Sequence, residues 1–247
     1  MRKIILFAMI LSGLMQTASA QKKKDSVNLK NTIHFNITNP LIFNKSFIIG
    51  YERVLNPRRS FSINFGTQSF PNTEERNTDS VQGTRVQDRT GFNISADYRF
   101  YLAKENKYPA PRGVFIGPYY SFNQFRRNNS WLLKSTNGSS LQVDSKINLN
   151  VHTVGFELGY QFVFWDRLAI DMVLIGPGIA AYKFTASFAN NLSAADREKL
   201  LAAINDALAE KFPGYSWAID EGEFQKTGTT NSTNIGYRYM VQIGFRF

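Results

Sequence analysis

The chain has 247 residues, no cysteine, 21 Phe, 11 Tyr and a formal net charge of +10. Without a thiol it has no disulfide, no Cys-ligated zinc, no thiol nucleophile and no cysteine for lipid attachment. A basic balance points to nucleic acid or to an anionic surface, and the start of the chain decides between them.

Arg2 and Lys3 precede an apolar run, Ile4 to Leu14, and then Ala18-Ser19-Ala20. That order reads as a secretory signal peptide over 1–20, cleaved after Ala20. The run is shorter than the roughly 17–25 residues of a spanning helix. Export removes nucleic acid from the partners. Residues 21–30, with Lys22-Lys23-Lys24, form a basic lead. The most apolar later stretch, Leu168 to Ala181, is broken by Asp171, Gly176, Pro177 and Gly178. The exported chain is therefore soluble or a barrel, because only helices and closed barrels satisfy every backbone group in lipid.

Alternation with a period of two predicts strands in chain order. The first runs over 31–38, with Ile33, Phe35 and Ile37 on one face and Thr32, His34 and Asn36 on the other; Asn39-Pro40 ends it. The second, 45–55, sets Phe47, Ile49 and Tyr51 against Ser46, Gly50 and Glu52. The third, 60–69, alternates Phe61, Ile63 and Phe65 with Ser62, Asn64 and Gly66. After a polar loop at 71–89, the fourth (90–102) sets Phe92, Ile94 and Phe100 against Asn93, Asp97 and Arg99. The fifth covers 113–125, with Pro118 marking a bulge or kink. After a polar loop at 126–145 comes the sixth, 147–164. Its apolar residues switch from odd (Ile147, Leu149, Val151) to even (Val154, Phe156, Leu158), which predicts a β-bulge near His152. Trp165-Asp166-Arg167 is a tight turn, and the seventh strand runs from Leu168 to about Phe184.

The eighth strand closes the chain. Ile235, Tyr237, Tyr239, Val241, Ile243, Phe245 and Phe247 alternate with Gly236, Arg238, Met240, Gln242, Gly244 and Arg246. The connections at 56–59, 103–112 and 165–167 share one end; those at 39–44, 70–89, 126–145 and 185–232 share the other. Short turns at one end, long loops at the other and an even strand count describe an outer-membrane barrel. The predicted fold is all-β: an eight-stranded antiparallel up-and-down transmembrane β-barrel over 31–247, with one amphipathic helix in the last extracellular loop, 185–232.

The chain resembles the small eight-stranded outer-membrane barrels of the OmpA/OmpX type. It is similar to outer-membrane barrel proteins of the Bacteroidota through FIIGYERVL at 47–55, GVFIGPYYSF at 113–122 and FELGYQFVFWDRLAIDMVLIGPGI at 156–179. The resemblance implies a Gram-negative outer membrane as the location. It makes Phe245 and Phe247 similar to the C-terminal signal read by the barrel-insertion machinery, departing from it where position 242 is Gln in place of the usual Gly.

Eight strands leave an interior that side chains fill. The inward register collects Glu52, Asp97, Arg99, Glu157, Asp171 and Arg238, a polar network of four acids and two bases. Pairing of Arg99 with Glu52 or Asp171 is expected, with His34 or Arg246 offsetting the surplus negative charge. No cofactor or metal site is read from the residues. Gly176 to Ala181 matches G-x-G-x-x-A, yet it lies in a strand-like run without the strand-to-helix context of a dinucleotide site. His152 has Ser145, Thr153 and Glu157 nearby in sequence, which keeps a lipid-modifying hydrolase or acyltransferase as an alternative. A soluble periplasmic ligand-binding barrel is a second alternative.

The last loop carries a helix over 193–212. Ser193 is the N-cap, Asp196 lies in the first turn, and Pro213-Gly214 ends it. Leu201, Ile204, Leu208 and Phe212 form its apolar stripe, which either packs on the barrel or makes an outward contact. Arg126 and Arg127 together are candidates for the phosphates of lipopolysaccharide. The reading is a non-enzymatic outer-membrane barrel with a structural or surface-interaction role and a filled lumen. Its partners are outer-membrane lipid, lipopolysaccharide and the insertion machinery.

Overall fold

The computed structural model describes residues 29–42, 45–69, 81–134, 140–188, 192–211 and 228–247. The signal peptide expected over 1–20 and Lys22–Lys24 of the expected basic lead lie outside them. The elements are β1 (Asn31–Asn36), α1 (Thr38–Ile42), β2 (Phe47–Asn56), β3 (Arg59–Thr67), β4 (Val81–Tyr101), β5 (Gly113–Lys134), β6 (Ser140–Phe164), β7 (Leu168–Phe188), α2 (Ala194–Lys211) and β8 (Thr229–Arg246). Each strand pairs antiparallel with the next, and β1 pairs with β8 from Thr32↔Arg246 to Asn36↔Gln242, closing the ring.

Local chemistry fixes the turns at one end. The Asn56 carboxamide accepts from the Arg58 N–H at 2.9 Å, an Asx turn between β2 and β3. Trp165 and Asp166 both have positive φ (49° and 61°), and Arg167 N–H donates to Phe164 O at 3.1 Å. Two left-handed central residues make 164–167 a tight turn whose twist matches that of the flanking strands, within a three-residue connection closed by the pair Phe164↔Leu168. Asn106 stands in for a strand neighbour, accepting from Val114 N–H and donating to Val114 O, each at 2.7 Å.

Strand lengths are unequal. β1 to β3 have 6, 10 and 9 residues, while β4 to β8 have 18 to 25. Beyond Phe92 β4 pairs only with β5, and beyond Gln242 β8 pairs only with β7 among the described ladders. The tall part of the wall is thus a curled five-stranded sheet standing above the closed ring.

Four expectations change. Parts of the loops at 71–89 and 126–145 are strand: Val81 to Arg89 pairs with β5, and β5 and β6 stay paired up to Lys134↔Ser140. Polar composition suggested loops there, but a strand with one solvated face is half polar by construction. The bulge is not near His152, because β6 keeps register with β5 throughout and buries its odd positions from Val143 to Val163. It lies on β7 instead. Leu158↔Ile175 is followed by Gly159↔Val173, leaving Leu174 extra, and β8 shows the same slip between Val173 and Gly176. Pro118 causes no register change either. At the first far-end connection the chain turns through α1 rather than an open loop.

Candidate functional site

At the turn end the interior is charged. Arg99 of β4 is fully buried, and its Nε lies 2.6 Å from Asp97 Oδ2. Its Nη1 lies 2.8 Å from Asp171 of β7 and 3.7 Å from Glu52 of β2. Arg238 of β8 reaches Asp97 at 3.2 Å and Glu157 of β6 at 3.1 Å. The structure therefore brings all six expected lumen residues into one cluster, with Arg99 touching both acids expected for it. Two aromatic rings of β5 support the guanidiniums: Arg99 stacks 4.4 Å from the Phe115 ring centroid and Arg238 5.1 Å from that of Tyr119.

Neutral groups complete the shell around Glu52. Ser60 donates to it at 2.6 Å, Gln161 Nε2 donates at 3.0 Å, and His34 Nε2 lies 3.3 Å away. The Tyr101 hydroxyl sits 3.1 Å from Glu52 and 2.9 Å from Gln161. Each partner satisfies a lone pair that would otherwise be buried bare, and this is what makes buried charge tolerable. Arg246 does not join. It binds Asp166 O and Leu29 O at the rim.

Further along the same cylinder the interior becomes apolar. Phe125, Trp131, Val143, Ile147, Leu149, Val151, Ala180, Phe184 and Ala186 pack with Leu200, Leu201 and Ile204 of α2 in one cluster. Ile147, Leu149 and Val151, expected outward, are inside. The α2 stripe faces the barrel, so Leu201 and Ile204 are buried contacts and not an exposed surface; the side chain of Leu208 lies outside the described residues. Ser193 caps α2 as expected, its Oγ accepting from Asp196 N–H at 3.1 Å and donating to Asp196 Oδ2 at 2.7 Å.

The outer surface reverses in the opposite sense. Going up β6 from the turn end, the outward residues are Phe164, Phe162, Tyr160, Leu158, Phe156 and Val154, then His152, Asn150, Asn148, Lys146, Asp144 and Gln142. On β7 the run Ile170, Met172, Leu174, Ile175, Pro177, Ile179 and Ala181 gives way to Lys183, Thr185 and Ser187. On β8, Phe245, Ile243, Tyr239, Tyr237 and Ile235 give way to Thr233 and Asn231. A belt of exposed apolar side chains encircles the turn end, among them Phe61, Phe92, Phe156 and Phe245.

No protein-family model matches the chain, and no curated protein matches it. Among solved structures it is similar to CarO2 of Acinetobacter baumannii, at 9% identity over 89% of this chain and 98% of that one, TM-score 0.39. A major outer membrane protein from Thermus thermophilus is similar at 10% identity, over 89% and 100%, with the same TM-score. Likeness at that level assigns no role.

Other sequence candidates separate. Arg126 is exposed, whereas Arg127 points inward and donates to Asn129 at 2.7 Å, so the two do not form one surface. His152 faces outward, 2.9 Å from the Tyr120 hydroxyl, while Ser145, Thr153 and Glu157 are buried inside. That group does not assemble into a triad. In the G-x-G-x-x-A stretch, Gly178 and its neighbour Gly155 of β6 leave room for Tyr119, whose hydroxyl donates to Gly176 O at 2.8 Å. A Cβ at Gly178 would lie 2.9 Å from the Tyr119 oxygen. Phe245 and Phe247 both face outward. The alternation places Tyr101 and Ser60 on inward faces without adding them to the network, and it does not single out Gln161 and Phe115. Their signal was available, since they share the inward parity of Glu157, Arg99, Ser62 and Tyr119, but none carries a charge to single it out.

Proposed function

We propose that this chain is an outer-membrane β-barrel whose turn end spans the bilayer and whose helix end stands outside it, with a filled lumen and a non-enzymatic, structural or surface-interaction role. The observation that carries the reading is the double reversal along β6 at His152: outward side chains pass from apolar to polar just where inward ones pass from polar to apolar. A soluble barrel has no reason to expose Phe156 at 70% while burying Arg99. A bilayer supplies the reason, since lipid solvates the belt and leaves charge only the interior. The apolar segment Val154–Phe164 also fits the roughly 9–11 residues of a transmembrane strand, as do β2 and β3.

In this reading the signal peptide delivers the chain to the periplasm and Phe245 and Phe247 serve the insertion machinery. The polar cluster fixes the register of the strands that meet at Arg99. The α2-capped cluster seals the outer part. Because the chain has no cysteine, single cysteines test the boundary directly. In vesicles, Phe156→Cys is expected to resist a charged, hydrophilic maleimide and Asn148→Cys to react fully. Equal labelling of both would remove the bilayer from this belt.

A further inference from the structure

Immediately above the apolar belt, three cations share one patch of the outer face. Arg126 of β5 lies opposite Asn148 of β6, Lys146 is the next outward residue along β6, and Lys183 of β7 lies opposite Asn150. All three are exposed. None enters an ion pair among the described residues. Neighbouring strands lie about 4.8 Å apart and same-face residues roughly 6.6 Å apart, so these long side chains can converge over Asn148. Asp144, the next outward residue beyond Lys146, accepts from Ser130 Oγ at 2.6 Å. Asn150 accepts from Gln124 Nε2 at 3.0 Å, adding an amide surface between the cations.

Below this patch the chemistry changes within two rows. His152 sits against Phe122 (ring centroids 4.4 Å apart) and the Tyr120 hydroxyl, an aromatic rim of the kind found at bilayer interfaces. Beneath it, Val154, Phe156 and Ile179 are 61%, 70% and 66% exposed. A soluble anion would use the cations and leave the apolar bed bare. A molecule with phosphate above and hydrocarbon below uses both.

We propose that Arg126, Lys146 and Lys183 bind the phosphate groups of a phosphorylated lipid of the outer leaflet, its acyl chains lying on Val154, Phe156 and Ile179. The assignment rests on the bilayer reading above. It differs from pairing Arg126 with Arg127, because the partners of Arg126 come from the neighbouring strands.

The test titrates the refolded full chain in neutral detergent with bisphosphorylated lipid A and with dephosphorylated lipid A, read by native mass spectrometry. Near a membrane each cation is worth about 1 kcal/mol, so R126Q/K146Q/K183Q is expected to bind the bisphosphorylated lipid on the order of a hundred-fold more weakly. K183Q alone is expected to lose roughly five-fold. Neither variant should bind dephosphorylated lipid differently from wild type. Equal binding of the bisphosphorylated lipid by wild type and the triple variant overturns the proposal, as does a wild type indifferent to the phosphates. The cysteine labelling separates the two readings: protection at position 156 with no effect of the charges removes only the lipid site.

Discussion

The two ends of this barrel are built on opposite plans from one continuous strand. On β6 the stretch below His152 hides Glu157 and Gln161 and shows Phe156 and Phe162. The stretch above hides Val143, Ile147 and Leu149 and shows Lys146, Asn148 and Asn150. Backbone geometry and side-chain parity do not change between them; only the identity of each face does. Alternation therefore defines the strand, while the face that carries the apolar residues reports the surrounding solvent. The lower plan is held by ion pairs and hydrogen bonds, the upper by apolar burial, and the two should fail differently.

The largest difference is expected at Arg99. Arg99→Met removes the cation that faces Asp171 and Glu52 and leaves Asp97 with Arg238 alone, so buried carboxylates lose compensation at a cost of about 3–5 kcal/mol. In gel assays of heat-modifiable migration, the folded band should disappear at a clearly lower temperature, and adding Asp171→Leu should recover part of the loss. An unchanged transition would mean that the charges do not hold the lower end.

Leu201→Ala acts on the other plan. A buried Leu cut to Ala costs roughly 2–5 kcal/mol, but here the loss should be local. Protease is expected to enter near α2 while the belt-forming segments stay protected. Simultaneous loss of both would show that the halves form one cooperative unit. The smallest effect is expected at Ser193→Ala, where one cap is lost for about 1 kcal/mol; amide exchange should quicken in the first turn of α2 and stay as in wild type around Arg99.

Eight strands, the turn at 165–167, the Ser193 cap and the charged residues of the lumen were legible because each depends on local chemistry or parity. The height of the barrel was not. Asn128, Asn129 and Ser130 look like loop residues, and only the ladder from Arg126↔Asn148 to Lys134↔Ser140 reveals a strand exposed to water. The phase change at His152 was visible but misassigned. An inserted residue explains such a switch only if apolar side chains face outward along the whole strand, and above His152 they face inward. The real insertion, Leu174, lay hidden in an apolar run where Leu174 and Ile175 are equally exposed. The site was legible for charged groups and obscure for Tyr101, Gln161 and Phe115, whose roles depend on neighbours across the barrel.

The unequal strands have a consequence for molecules crowded in a plane. β2 and β3 stop near the top of the belt, while β5 to β7 rise well past it, so the protein has a low flank and a high flank. Rotating it about the vertical axis changes what a neighbour meets, from a step at α1 to a tall hydrated screen. Packing in a dense array would then depend on heading, a sense of direction that a cylinder of even height lacks.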